Sequence, residues 1–159
     1  MIVAIGCDHA GFPLKARVVR ELDDAGHRIV DCGGYDATPS DYPDFARAVA
    51  TVVIEGRSDR GILVCGSGVG ASVAANKVRG ARAALCHDTF SARQGVEDDD
   101  LNILCLGARV VGVEAAAECI RAFLTARFSN AERHARRLAK VLAIEADTRA
   151  GIFDRPGTR

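Results

Sequence analysis

Short apolar runs alternate along the chain with longer segments whose apolar positions recur at helical spacing. Five runs have the length and composition of strands: 1–8, 27–33, 60–66, 82–87 and 102–107. Five other stretches predict helices: 12–25, 43–55, the segment that ends at Ala75, 114–127 and 131–147. Within the strand runs, apolar residues follow one another directly, which is typical of strands buried on both faces. The pattern therefore predicts an α/β protein, a three-layer α/β/α Rossmann-like fold around a five-stranded parallel sheet.

The chain shows no internal repeat, low-complexity stretch or linker that would divide it. We therefore expect one domain over residues 1–147, followed by a C-terminal tail, 148–159, that contains glycine and proline. Between the fourth and fifth strands, residues 88–100 are mostly polar, and we interpret them as a connecting segment.

Charge and hydropathy exclude several classes of protein. Lys plus Arg and Asp plus Glu both number 21, so the net charge is zero and a generally basic nucleic-acid binder is excluded. No run of 18 apolar residues exists to span a membrane. The first twelve residues lack a basic leader and become polar too early for a signal peptide, so we expect a cytoplasmic protein.

Six cysteines occur in the 159 residues, and most lie inside apolar runs. There is no Cys-x-x-Cys pair and no Cys/His spacing of the kind that binds zinc. These cysteines are therefore expected to be buried thiols in a reducing cytosol, with no metal site. Cys65 is the exception, because a glycine-rich segment comes directly after it.

Polar residues follow four of the predicted strands: Cys7-Asp8-His9, Cys65-Gly66-Ser67, His87-Asp88 and Gly107 to Arg109. In a parallel sheet these ends lie along one edge, where ligands of such folds bind. The segment after the third strand, Cys-Gly-Ser-Gly-Val-Gly-Ala-Ser, is the strongest local signal. Glycines let the backbone approach a ligand, and amides at a helix N-terminus stabilise negative charge.

The glycine segment has two other interpretations. It could be a strand-to-helix turn whose glycines serve packing alone. A dinucleotide oxidoreductase ranks last, because its glycine motif follows the first strand, and no GxxxxGK[ST] motif is present for a nucleoside triphosphate.

Cys65 begins the glycine segment, and its position gives it a specific chemical opportunity. Amides at a helix terminus lower the pKa of a thiol, and the same amides can hold an oxyanion. A base beside oxyanion donors is what the removal of a proton next to a carbonyl requires. The alternative is a buried and inert cysteine.

Five segments resemble ribose-5-phosphate isomerase type B and the related galactose-6-phosphate isomerases: GCDHAGFPLK (6–15), SDYPDFA (40–46), RGILVCGSGVGASVAANKVRGARAALCHD (60–88), NILCLGARVVG (102–112) and ERHARRLAKVLAIE (132–145). The resemblance implies an aldose–ketose isomerase that works through a cis-enediolate without metal or organic cofactor. It also implies a homodimer or homotetramer whose active site is shared across the interface.

The resemblance assigns a role to each matching residue. Cys65 would move the proton between C2 and C1. The enediolate oxygen would be held by Ser67 and by the amides of Gly66, Gly68 and Gly70. Sugar hydroxyls would bind Asp8, and Tyr42 would line the pocket. The substrate phosphate would be held by His9, Arg133 and Arg137, with Arg109 lent across the interface.

One segment departs from the family pattern. The family carries His-Asn-Asp before the fifth strand, and its histidine, which reaches the site from the neighbouring subunit, opens the furanose ring. Here Asp98 stands at the histidine position and Asp99 at the asparagine position. A carboxylate of ordinary pKa is a poor general acid near neutral pH, unless burial or like charges raise that pKa.

Three functions are compatible with this departure. The first is an isomerase of ribose 5-phosphate and ribulose 5-phosphate in which Asp98 opens the ring; the other intact residues favour it slightly. The second is an isomerase of a tetrose phosphate such as erythrose or erythrulose 4-phosphate, which cannot close a furanose. The third is a non-catalytic subunit that binds sugar phosphate.

Overall fold

The computed structural model describes residues 1–149, and within them the chain forms five strands and six helices. The strands are β1 (Ile2–Cys7), β2 (Arg28–Asp31), β3 (Arg60–Cys65), β4 (Ala83–Leu85) and β5 (Ile103–Gly107). The helices are α1 (Phe12–Asp24), α2 (Tyr42–Ile54), α3 (Val69–Ala75), α4 (Thr89–Asp99), α5 (Val113–Thr125) and α6 (Glu132–Arg149). None of these helices is long and apolar enough to cross a membrane.

Two compact units divide the chain, the first from Met1 to Phe128 and the second from Ser129 onwards. The first unit contains the whole sheet and five helices, and the second contains α6. Helix α6 continues to Arg149, two residues past the predicted end of the domain at 147. Residues 150–159 of that predicted tail lie outside the described residues, and the single domain over 1–147 stays a prediction.

All five strands are parallel and lie in the order β2-β1-β3-β5-β4, so the predicted α/β architecture is confirmed. The chain adds strands first to one side of β1 and then to the other. The order therefore reverses between β1 and β3. Ligands of such sheets bind in the crevice at the carboxyl ends of the strands beside this reversal. The functional site is expected between the ends of β1 and β3.

Both faces of the sheet are covered by helices, as the continuous apolar runs predict. Successive side chains of a strand point to opposite faces: Ile62 and Val64 pack with α1, α4 and α5, while Leu63 and Cys65 pack with α2 and α3. These contacts form the two halves of a core, one on each side of the sheet. The three predicted layers are therefore present.

Helix α2 lies unusually close to the sheet because two strand residues beneath it are glycines. A Cβ added to Gly61 would lie 2.6 Å from Cγ1 of Val49, and one added to Gly6 would lie 2.8 Å from Cγ2 of the same valine. Both distances are far below van der Waals contact, so side chains at these positions would push α2 away.

The prediction that residues 88–100 form a connecting segment is wrong, because these residues contain helix α4. Only Ala92 and Val96 of this helix are buried, which explains why its apolar periodicity is too weak to read. Its start was nevertheless marked: Asp88 is an N-cap whose side chain accepts a hydrogen bond from the backbone N–H of Ser91 at 2.7 Å. Asp100, at a φ of 52°, ends the helix.

Candidate active site

The carboxyl ends of β1 and β3 bring a thiol and a carboxylate together. Cys65 is the last residue of β3, and Asp8 immediately follows β1. The register pairs Cys7 with Val64, so the next residue of each strand falls alongside the other. The Sγ of Cys65 donates to Oδ2 of Asp8 at 3.1 Å, and both residues are more than nine-tenths buried.

Gly11 fixes the Asp8 carboxylate in place. Its backbone N–H donates to Oδ1 of Asp8 at 2.8 Å, which leaves Oδ2 for the thiol. A Cβ on Gly11 would lie 2.1 Å from the carbonyl oxygen of Val64, so only glycine fits against this strand. The sequence pattern gave Gly11 no role, although a glycine three residues after a strand-end aspartate is a signal that could have found it.

The electrostatics of Cys65 differ from the expectation of a lowered pKa. Burial raises the pKa of the thiol, and the hydrogen bond to Asp8 and the charge of that carboxylate raise it further. Backbone N–H groups of Gly68 and Gly66 bind the sulfur and act in the opposite direction, as predicted, but they are outweighed. The net pKa is above its ordinary value, so the resting group is a thiol.

The glycine loop after Cys65 is shaped by contacts that exclude side chains. Gly68 has a φ of 80°, and a Cβ there would lie 2.5 Å from Leu85 and 2.9 Å from the backbone of Leu106. The exposed Ser67 uses its Oγ to accept the N–H of Val69 at 3.3 Å, where α3 begins. These contacts fix the loop next to the Cys65 sulfur. Its role in binding the enediolate oxygen stays a prediction.

Tyr42 and Gly70 are in direct contact. Tyr42 is the first residue of α2, and Gly70 lies in the first turn of α3. A Cβ on Gly70 would lie 2.8 Å from Cζ of the Tyr42 ring. The ring therefore packs on the backbone at Gly70, and two residues that the sequence placed in one site do meet.

His9 is held by Ser40 in the segment that leads to α2. The backbone N–H of Ser40 donates to Nδ1 of His9 at 3.1 Å, and the N–H of His9 donates to Oγ of Ser40 at 3.1 Å. Nδ1 also lies 3.2 Å from the carbonyl oxygen of Ser40, so both backbone groups of this serine contact the same ring nitrogen. Ser40 is a second positioning residue that the sequence pattern did not reveal.

Arg109 is anchored to the loop of its own chain. Its backbone N–H donates to the carbonyl of Gly66 at 3.0 Å, and Ala108 donates to the carbonyl of Cys65 at 2.8 Å. A Cβ on Gly66 would lie 3.7 Å from Nη1 of Arg109, so the guanidinium also lies beside the loop. The expectation that this arginine is lent to a partner stays a prediction, and within one chain it already reaches the glycine loop.

Asp98 and Asp99 are not brought to Cys65 within one chain. Both lie in the last turn of α4, where Oδ2 of Asp98 accepts from Nε2 of Gln94 at 2.7 Å and Asp99 is exposed. The next residue, Asp100, pairs with Arg82, which directly precedes β4. This end of α4 is therefore at the edge where strands begin, opposite the edge that carries the thiol.

Arg133 and Arg137 belong to the second unit and are one helical turn apart on α6. Both are exposed, and Nε of Arg133 donates to Nε2 of His134 at 2.8 Å. Their spacing on one face is as predicted, and their contact with a phosphate stays a prediction.

Metal-binding side chains do not cluster within the part of the chain that the structure describes. Among residues 1–149 there is no group of three or more His, Cys, Asp or Glu side chains that could hold a metal ion. The residues at the sheet edge offer proton transfer and hydrogen bonding: a thiol, a carboxylate, loop amides, a tyrosine ring and a guanidinium.

A family model described as Ribose/Galactose Isomerase matches residues 3–141, nearly the whole described chain. The chain belongs to this family. It is similar to ribose-5-phosphate isomerase B of Escherichia coli, with 43% identity over 143 residues, which cover 90% of this chain and 95% of that protein. It is also similar to the D-erythrulose-4-phosphate isomerase of Pectobacterium atrosepticum, with 43% identity over 128 residues, which cover 79% of this chain and 84% of the relative.

A solved structure of ribose-5-phosphate isomerase B from Clostridium thermocellum has the same fold. Its TM-score is 0.91 at 43% sequence identity, and the match covers 93% of this chain and 99% of that one. Family and fold together make the chain a sugar-phosphate isomerase. The relatives include isomerases of five-carbon and four-carbon substrates at equal identity, so the sugar itself is a separate question.

Proposed function

We propose that this isomerase interconverts the aldose and ketose forms of its sugar phosphate at Cys65, which moves a proton between C2 and C1 through a cis-enediolate. The observation that carries the proposal is the thiol of Cys65 at the sheet edge, in contact with the Asp8 carboxylate and with loop amides. A base and donors for an oxyanion at one point are the minimum for this proton transfer.

Ribose 5-phosphate and ribulose 5-phosphate are the first candidate pair. The ribose-5-phosphate isomerase B of Escherichia coli matches 90% of this chain at 43% identity, and the D-erythrulose-4-phosphate isomerase 2 of Mycolicibacterium smegmatis matches the same share at 38% identity. The residues expected to contact the sugar and its phosphate are present at the edge or on α6. In this reaction Asp98 of a second subunit would open the ring, in a homodimer or homotetramer with shared sites.

Erythrulose 4-phosphate is the second candidate, and one observation favours it. Gln94 donates its amide proton to Oδ2 of Asp98 at 2.7 Å, so this oxygen is already engaged within the chain's own helix. A carboxylate held in this way is poorly suited to donate a proton to a ring oxygen. A tetrose 4-phosphate has its terminal oxygen blocked and needs no ring opening.

Turnover measured on both substrates tests the proposal. We expect the purified chain to isomerise at least one of ribose 5-phosphate and erythrulose 4-phosphate, and Cys65→Ala to lose about 10²–10⁴-fold in kcat. Cys105→Ala is the matched control, because Cys105 is a fully buried thiol in the neighbouring strand β5. That variant should lose stability and keep its kcat.

The outcomes separate the three functions. Faster turnover of the tetrose phosphate selects the second candidate, and equal or faster turnover of the pentose phosphate selects the first. If the wild-type chain is as inert as Cys65→Ala on four-, five- and six-carbon sugar phosphates, the isomerase proposal is overturned and the non-catalytic binding subunit takes its place.

A further inference from the structure

The contact between Cys65 and Asp8 presents a chemical problem. A base must accept a proton, yet burial and the neighbouring carboxylate keep the sulfur protonated at rest. The thiol donates its hydrogen bond to Oδ2 of Asp8, with Sγ and Oδ2 3.1 Å apart. A carboxylate at this distance is within reach to accept it.

We propose that Asp8 is the proton acceptor for Cys65, so that the pair, rather than the sulfur alone, is the base of the reaction. The inference rests on the proposed function and deepens it, because the resemblance gives Asp8 only the binding of sugar hydroxyls. Asp8 touches the reacting sulfur and is therefore a catalytic residue in its own right.

The proton transfers balance over the cycle. The S–H bond of Cys65 breaks as an O–H bond forms on Asp8, which leaves a thiolate. The thiolate takes the proton from C2 of the aldose, the C–H electron pair forms the C1–C2 double bond, and the π pair of the C1 carbonyl moves onto O1 as the enediolate forms. The sulfur returns this proton to C1, the O2 proton passes to O1 as the C2 carbonyl forms, and Asp8 then returns its proton to the thiolate.

The surroundings of the pair favour Asp8 over other acceptors. Cys7 lies close enough to interact with the charge of Asp8, and Cys105 with that of Cys65, but burial raises the pKa of both thiols, Cys7 to about 11. The Arg109 guanidinium beside Gly66 carries no acceptor. Nδ1 of His9 is occupied by Ser40. Asp8 is thus the acceptor that touches the sulfur.

The two effects of Asp8 on the sulfur can be separated by experiment. Its negative charge opposes ionisation of the thiol, so Asp8→Asn lowers the pKa of Cys65 and increases the thiolate fraction. If Asp8 is also the acceptor, the same substitution removes the destination of the proton and slows turnover. Greater thiol reactivity with slower catalysis is the signature of the proposal.

The test compares wild type with Asp8→Asn in two measurements. One is kcat and KM on the sugar phosphate that the wild type turns over. The other is the rate of iodoacetamide alkylation at Cys65 across pH, without substrate, followed by the mass of the labelled peptide. We expect kcat to fall at least about 100-fold and alkylation near pH 7 to rise about tenfold, as for a pKa lowered by one unit.

A matched control is Asp44→Asn, which removes an exposed carboxylate from α2 outside the site. It should change neither measurement. Faster alkylation with unchanged or higher kcat in Asp8→Asn would mean that Asp8 only restrains ionisation, and would overturn the inference. Unchanged or slower alkylation would also overturn it, and because this measurement uses no substrate, it does so independently of the proposed function.

A second comparison needs no variant and keeps the inference testable if Asp8→Asn does not fold. In the wild type, an Asp8 acceptor predicts that kcat persists at pH values where alkylation of Cys65 has already declined. Coincident pH profiles would contradict the inference. A wild type that turns over no sugar phosphate would overturn the proposed function, and this mechanism with it.

Discussion

The edge of the sheet at Cys65 and the far end of α4 are built in opposite ways. At the edge, glycine backbones pack so closely that a Cβ at Gly11 or Gly68 would lie within 2.5 Å of its neighbour, and the thiol and carboxylate are fixed between them. At the end of α4, Asp99 is exposed, and the half-buried Asp98 accepts a hydrogen bond from Gln94 of the same helix.

This difference separates two parts of the chemistry. In the proposed mechanism, proton transfer uses atoms that a single chain holds in position, because the loop and strands of one molecule supply them. Ring opening would use Asp98, which one chain places away from the thiol, so a second copy would have to bring it there. The first part is therefore expected to be insensitive to the sugar, and the second to decide which sugar reacts.

The largest expected effect is that of Gly68→Ala, a substitution in the closely packed glycine loop after Cys65. Positive φ and contacts with Leu85 and Leu106 leave no room for a methyl group, so the loop must shift. We expect the free energy of unfolding to fall by about 2 kcal/mol or more and kcat to fall about 100-fold. Denaturant unfolding and steady-state kinetics measure the two losses.

Gly112→Ala is the control for that prediction. Gly112 has a φ of −67° and nothing within 4 Å of an added Cβ. We expect a loss of stability below about 1 kcal/mol and no change in kcat. Equal losses of kcat in the two variants would show that the glycine loop tolerates a methyl group as well as an ordinary helix cap does. The loop would then be no more rigid than the rest of the molecule.

An intermediate effect is expected from Asp98→His, a substitution at the end of α4. A neutral imidazole can both donate and accept a proton near pH 7, so this variant should raise kcat/KM on ribose 5-phosphate by about tenfold. Turnover of erythrulose 4-phosphate, which needs no ring opening, should stay the same. Parallel assays on the two substrates measure the difference.

Glu97→His places the same side chain one position earlier on α4 and breaks only a partly exposed pair with Arg93. It should leave both substrates unaffected. A rise of equal size on both substrates in Asp98→His would contradict the division between proton transfer and ring opening.

The smallest effect on catalysis is expected at Cys86, a buried thiol whose charged neighbours are Asp88 and Cys119 rather than Asp8, where only stability should change. Burial raises the pKa of Cys86 to about 11. Above pH 9 the unfolded chain ionises this thiol while the folded chain keeps it protonated, so stability falls between pH 9 and about 11. The loss attributable to Cys86 is about 2 kcal/mol.

Urea unfolding of wild type and Cys86→Ala at pH 8 and pH 11 measures this loss. The stability advantage of the wild type should shrink as pH rises, because the variant has no thiol to titrate. An advantage that is constant with pH would mean that the buried thiol ionises in the folded chain as readily as in the unfolded one.

The fold was predictable because burial on both faces imposes continuous apolar runs that survive in the sequence. Helix α4 was not, since it buries only Ala92 and Val96 and its polar face outweighs them. Its Asp88 cap was readable, but a cap without a periodic apolar stripe resembles any polar turn.

The site was predictable to the level of which residues share an edge. Register alone brings Asp8 to Cys65, and the resemblance supplies Tyr42 and the glycines. The direction of the Cys65 pKa could not be read, because it depends on burial and on the distance to one carboxylate oxygen. Gly11 and Ser40 donate hydrogen bonds from their backbone N–H groups, and such bonds produce no recognisable pattern in the sequence.

The two glycines under Val49 have a consequence for selectivity at a distance. Because Gly6 and Gly61 let α2 rest directly on the strands, the first residue of that helix, Tyr42, is held at a fixed height over Gly70. A methyl group at Gly61, beneath the helix and away from the sulfur, would press on Val49, and we expect the shifted helix to move the Tyr42 ring with it. Because Tyr42 is proposed to line the sugar pocket, we expect substitutions in this buried layer to change sugar preference while every polar group at the thiol stays the same.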